Sequence, residues 1–148
     1  MRYFTLLLIG VLSAQVSFGA MTDAEAAVVI DRFLADPLSP SERQSAAKIL
    51  QFAEESPTHE VTVDVKYMPW LKETPPPEGS ELLLAAFMAG NLKEQIKKNT
   101  TKSEDYAGAL AVLEVYRKLQ EKKIVIPELD HWIELEKQGT LRSFIEKD

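Results

Sequence analysis

The sequence predicts a mainly α fold: a single compact bundle of about five to seven helices, crossed by an irregular proline-rich segment with room for one short strand. Three observations lead there. Helix start signals recur ahead of apolar residues spaced three and four apart. Alternation of the strand kind occurs once. The chain has no Cys, so its stability must come from packing, helix caps or association rather than from disulfides.

The first element is a targeting segment. Arg2 supplies a positive charge, residues 4–14 form an apolar run, and Ser17 and Gly19 place small residues at the −3 and −1 positions of a cut before Ala20. That is the pattern of a cleaved secretory signal. The run is short of the roughly 20 apolar residues that a spanning helix needs. A cut after Ala20 is the competing site, although it puts bulky Phe18 at −3. Without Cys, lipid attachment at a new N-terminus is excluded. The expected organisation is a signal at residues 1–19 and one α-helical domain over 20–148. The expected location is periplasmic or secreted; the lack of Cys suggests a bacterial host.

Thr22 and Glu25 form a capping box ahead of Ala26, Val29, Ile30, Phe33 and Leu34, which share one helical face. Pro37 ends that helix. Ser39, Pro40, Ser41 and Glu42 repeat the start signal, with Pro40 expected in the first helical position. Ala46, Ile49, Leu50 and Ala53 continue it, so the two segments read as a helical hairpin joined at residues 36–39.

Residues 57–79 are the irregular crossover. Val61, Val63, Val65 and Tyr67 alternate with Thr62, Asp64 and Lys66, the period of a strand. One strand makes no sheet, so this is an isolated extended segment, a pairing edge, or an extension of a helix. Tyr67, Met68, Trp70 and Leu71 follow, and then Pro75, Pro76 and Pro77, expected in extended polyproline geometry.

Ser80 reopens helix. Residues 82–89 are apolar on every side, which marks a central buried helix. Gly90 is expected to end it and Asn91 with Glu94 to cap a short polar successor reaching Lys98, before a turn at Asn99. Residues 103–121 form the longest helix, with Tyr106, Ala109, Leu110, Leu113, Tyr116 and Leu119 on one broad face. Gly108 in its interior costs about 1 kcal/mol against Ala and so suggests a close helix approach. Pro127 opens a helix carrying Leu129, Trp132, Ile133 and Leu135; Gly139 ends it, and Thr140 opens a last short one.

Composition excludes several classes of function. The net charge of −6 becomes −7 once Arg2 leaves with the signal, which disfavours nucleic acid and adsorption to anionic membranes. No second segment is long and apolar enough to span a membrane. Zero Cys removes thiol chemistry and Cys-type zinc sites. Glu128 and His131 stand at i,i+3, half of a carboxylate-bridged di-iron motif. The other half is missing, because the residue three before His59 is Ser56. No nucleophile elbow and no phosphate-cradling Gly-rich loop occurs. No catalytic residue, metal or cofactor is therefore expected. Lys93, Lys97, Lys98 and Lys102 form a basic cluster that reads either as an anion contact or as a solvated, acid-paired helix face.

The candidate binding residues are Tyr67, Met68, Trp70 and Leu71, aromatic and apolar side chains on a proline-stiffened segment. They form either a preorganised contact for a partner, marked by an exposed apolar patch around Trp70, or an anchor in which Trp70 docks on the helices and pins the crossover. The expected function is an exported, non-enzymatic interaction module for another protein or an envelope component. The alternative is a small carboxylate-dependent hydrolase of envelope material, drawing on acid pairs such as Glu54 with Glu55 or Glu134 with Glu136. Self-association is a third expectation, through the helix over 103–121 and disrupted by Leu113→Asp.

Overall fold

The computed structural model describes residues 20–147, so the signal segment lies outside the described residues. Six α-helices and one 3₁₀ turn follow in order: α1 Asp23–Ala35, α2 Glu42–Glu55, the 3₁₀ helix Pro69–Lys72, α3 Ser80–Lys98, α4 Asp105–Glu121, α5 Pro127–Lys137 and α6 Leu141–Ile145. The fold is a helical bundle, and no strand forms among the described residues.

Local chemistry sets most helix ends. In α1 the Thr22 Oγ1 accepts from the Glu25 amide at 3.3 Å, while the Glu25 carboxylate accepts from the Thr22 amide at 2.8 Å. Asn99, in the left-handed region at φ 51°, terminates α3, and Gly139 at φ 72° follows α5. α2 departs from expectation. Pro40 lies in the preceding turn and Glu42 is the first helical residue, its amide bonded to the Ser39 carbonyl at 2.9 Å. The hydroxyls of Ser39 and Ser41 engage each other at 2.9 Å, so no side chain caps the helix.

The bundle is organised around α3, which packs on α1, on α2 and most extensively on α4. Leu83, Ala85, Ala86, Phe87, Ala89 and Leu92 are buried along it. Gly90 does not end the helix, and Asn91 caps no successor: α3 continues through both to Lys98. The reason is steric. A Cβ on Gly90 would stand 2.5 Å from the Ala107 carbonyl oxygen and 2.6 Å from the Ala111 Cβ. A Cβ on Gly108 would meet the Phe87 ring at 2.7 Å. The two glycines let the α3 and α4 backbones close on each other, and the burial gained offsets their poor helix propensity.

α4 is an interior element. Leu113 is fully buried, together with Ala109, Val112, Val115 and Tyr116, so this face is already covered within the monomer. The Tyr116 hydroxyl accepts from the Ile126 amide at 2.8 Å and contacts the Asp130 carboxylate at 2.9 Å, tying α4 to the start of α5. Burial first, and then the Asp130 carboxylate, push the Tyr116 phenol above its ordinary range.

Candidate functional site

The crossover between α2 and α3 is held from within by a chain of polar side chains. Asn91 and Gln95 lie one turn apart on α3, and both are completely buried. The Glu104 amide donates to Asn91 Oδ1 at 2.8 Å, which fixes the orientation of that amide group. Asn91 Nδ2 then donates to Ser103 Oγ at 2.9 Å and Asp105 Oδ1 at 3.1 Å. Gln95 Nε2 donates to Asn91 Oδ1 and to the Glu60 carbonyl, both at 2.7 Å. With both hydrogens of Gln95 committed, its Oε1 faces His59 Nδ1 at 3.2 Å. The other ring nitrogen of His59 meets the Asp23 carboxylate at 3.0 Å. Asp23 opens α1, so this network joins the first helix, the crossover, α3 and the entry to α4.

The network explains the shape of residues 59–64, which run without bend or turn. The Glu60 carbonyl is bonded to Gln95, and the Thr62 amide donates to Ser103 Oγ at 3.1 Å. These are the inward-facing groups of an extended chain. The expected strand is thus an isolated extended segment, hydrogen-bonded to side chains instead of to a second strand. A turn closed by the Tyr67 amide on the Asp64 carbonyl, at 3.0 Å, ends it.

The four candidate residues separate into two pairs. Trp70 is fully buried, its indole edge-on to Trp132 with ring centroids 5.5 Å apart, and Met68 is 2 % exposed. The exposed apolar patch expected around Trp70 is therefore not formed by that side chain, which instead anchors the 3₁₀ helix to α5. Tyr67 and Leu71 are half-buried. Tyr67 packs edge-on against Phe144 at 5.7 Å and donates its hydroxyl to the Lys147 carbonyl at 2.6 Å. Nor do the three prolines form a straight rod: the chain bends at 73–75 to reach Gly79, whose φ of 87° leads into α3.

Beside the crossover lies a cleft of about 440 Å³. Met68, Phe87, Trp132 and Ile145 supply apolar lining. Thr62, Asp64, Tyr67, Ser103 and Asp105 bring polar groups to it. Ser103 Oγ donates to the Asp105 carboxylate, the inner end of the polar network. A second cleft of about 550 Å³ lies between α1 and α2, lined by Met21, Val29, Lys48 and Phe52 among others.

The remaining candidates are dispersed. His131 is exposed and edge-on to Phe144 at 5.8 Å, while Glu128 is half-buried. Among the described residues, no three His, Asp or Glu side chains converge as metal ligands would. Glu54 and Glu55 face solvent, Glu134 is paired with Lys137, and Glu136 with Arg117. Most of the basic cluster is paired with acids: Lys93 with Asp31 at 2.7 Å, Lys97 with Glu94, and Lys98 with Glu94 and Glu104. The Glu104 contact holds the Lys98 ammonium above its ordinary range. Two carboxylates sit below theirs. The Thr22 amide and hydroxyl lower Glu25; the Ser45 hydroxyl, and then the Arg32 guanidinium at 3.0 Å, lower Glu42.

Asn91 and Gln95 are the residues that sequence reasoning missed. The available signal was two amide side chains at i,i+4 in continuity with an apolar helix. Their spacing was legible, but the carbonyl and imidazole they bind were not. Among the described residues no helix is long and apolar enough to cross a membrane. Compared with models of protein families, with curated proteins and with solved structures, the chain matches none.

Proposed function

We propose that the protein is an exported, non-enzymatic interaction module that binds another protein or an envelope component through the face formed by the crossover 57–79. The observation that carries this reading is the cleft beside the crossover. Its apolar lining from Met68, Phe87 and Trp132 is rimmed by Thr62, Asp64 and Tyr67, the mixture of apolar body and few polar groups that recognition sites use. The Trp70–Trp132 contact and the buried amides hold this face in place before a partner arrives, which lowers the ordering cost of binding. Tyr67 and Met68 line the cleft and Leu71 is half-buried beyond it, whereas Trp70 supports the surface from behind.

The test is capture from the exported fraction of the native host by wild-type protein, Tyr67→Ala and Thr62→Arg, each checked for unchanged helical circular dichroism. Thr62 is exposed at the rim, so an arginine there obstructs the mouth without entering the core. A partner held by wild type and lost by both variants supports the reading. Equal capture by all three removes this face from it. Turnover of an envelope polymer by the purified protein would replace it with the carboxylate-hydrolase reading.

A further inference from the structure

His59 is buried where α1, α2 and α3 meet the crossover. Its surroundings fix which ring atoms carry protons. The Glu104 amide donates to Asn91 Oδ1, so Gln95 presents its amide hydrogens to Asn91 Oδ1 and to the Glu60 carbonyl. Gln95 Oε1 is left as an acceptor, 3.2 Å from His59 Nδ1, and that ring nitrogen is therefore the donor. Nε2 lies 3.0 Å from the Asp23 carboxylate, which is also an acceptor. A neutral ring carries one N–H and satisfies one of these two oxygens. The charged ring carries two and satisfies both.

Each element packed on the ring contributes a different kind of group. α1 brings Asp23, the one carboxylate in ion-pair contact with the ring among the described residues. α2 brings Phe52, tilted against the imidazole with centroids 6.0 Å apart, and α3 brings the uncharged Gln95. Ser56 Oγ accepts from the His59 amide at 3.1 Å, and Glu60, the next residue, faces solvent. Asp23 is the first residue of α1, and its side chain is 53 % exposed against 5 % for the ring. Asp23 is thus the partner that can move away, while Gln95 and the ring are held in the interior.

We infer that His59 is a proton-operated clasp for the N-terminal end of α1. With the ring charged, Nε2–H donates to Asp23 and ties the first turn of α1 to the crossover. When the ring loses a proton, Gln95 keeps the hydrogen on Nδ1 and Nε2 gives its hydrogen up. A nitrogen lone pair then faces a carboxylate, and the contact is released. Imidazoles change charge between about pH 5 and 8, so the clasp is closed in mild acid and open in mild alkali. Met21 and Glu25, which flank Asp23 in sequence, and Phe52 and Ser56, which contact His59, all line the second cleft. The clasp therefore sets how α1 approaches α2 there. The charged residues of that cleft, Glu25, Lys48 and Glu55, form no ion pair with His59 or Asp23 among the described residues. Neither His59, Asp23 nor Gln95 lines the cleft beside the crossover.

Two measurements test the clasp. Proton–nitrogen NMR of the two histidine rings from about pH 5.5 to 8.5 spans the range in which imidazoles titrate, with His131→Gln used for assignment. His59 should be protonated on both nitrogens in acid and on Nδ1 alone in alkali. Backbone amide shifts that follow this change should cluster at residues 21–25 and 52–60. Chemical denaturation at about pH 5.5 and 8 then compares wild type with Asp23→Asn. The unfolding equilibrium constant should rise with pH in wild type by about two- to fivefold more than in the variant, the scale of a largely exposed ion pair. An Asn amide can turn to donate to a bare Nε2, so the variant keeps its contact at both pH values. A neutral His59 ring protonated on Nε2 overturns the inference. So does a ring that keeps one charge state throughout, or an equal pH response in wild type and D23N.

Discussion

The α3–α4 seam and the crossover 57–79 hold their backbones in place by opposite means. Along the seam, two glycines and a row of buried alanines bring two regular helices into continuous contact. Each helix satisfies its own backbone groups, and the stabilisation is spread over many small contacts. The crossover has almost no backbone ladder. It is fixed at a few points: one indole against another, and buried amides reaching a carbonyl and a hydroxyl. Distributed contacts tolerate the loss of any one member. Sparse pins do not, because the backbone between them has no ladder of its own among the described residues.

The comparison breaks most visibly at Trp70. Trp70→Ala should cost about 3–5 kcal/mol, the range for deleting a buried large aromatic. Chemical denaturation followed by helical circular dichroism measures this. A loss under 1 kcal/mol would show that Trp70 is not a pin. The seam is attacked at Gly90. Gly90→Ala puts a methyl against the Ala107 carbonyl and should cost about 1–3 kcal/mol by overpacking, despite the gain in helix propensity. An unchanged or raised melting temperature would mean that the helices separate without penalty.

Gln95→Leu sharpens the contrast, because it keeps the bulk and removes the pin. It strands the Glu60 carbonyl and one nitrogen of His59, at about 1–3 kcal/mol. The effect should be local: exchange of amides in 59–64 should accelerate more than exchange in α4. Uniform acceleration across the protein would deny the segment its separate support.

The smallest effect is acid sensitivity on the helical side. Glu25 and Glu42 are held below their ordinary value of 4.5. A carboxyl lowered in the folded state adds stability above its unfolded value, and that stability is lost as pH falls through the folded value. Stability should therefore decline below about pH 4.5, and the double variant E25Q/E42Q should flatten part of that decline. An unchanged slope in equilibrium unfolding at several pH values would remove these two groups as its source. Lys98, raised by Glu104, works in the other sense: its contribution is present below the ordinary lysine value of 10.5 and lost above the folded one.

The candidate site was half legible. Tyr67, Met68, Trp70 and Leu71 stood out because aromatic and apolar residues beside prolines are unusual in a polar, irregular stretch. Two of them line the cleft and one lies behind it. Nothing in the local pattern distinguished an aromatic that faces outwards from one that pins the chain. The alternation at 61–67 was equally double-edged, since valines spaced by two mark an extended chain whether or not a second strand lies beside it.

The sequence by itself determined the helical class and most of the helix ends. Caps, proline, a left-handed Asn or Gly and the three-to-four spacing act within a single turn, and their partners are neighbours in the chain. The tertiary structure alone decided that Gly90 continues a helix, that Trp70 is buried against Trp132, and that Gln95 holds Glu60. Each of those outcomes depends on a residue far along the chain, brought near only when the bundle closes. The same glycine, indole or amide would have behaved otherwise with a different neighbour opposite it.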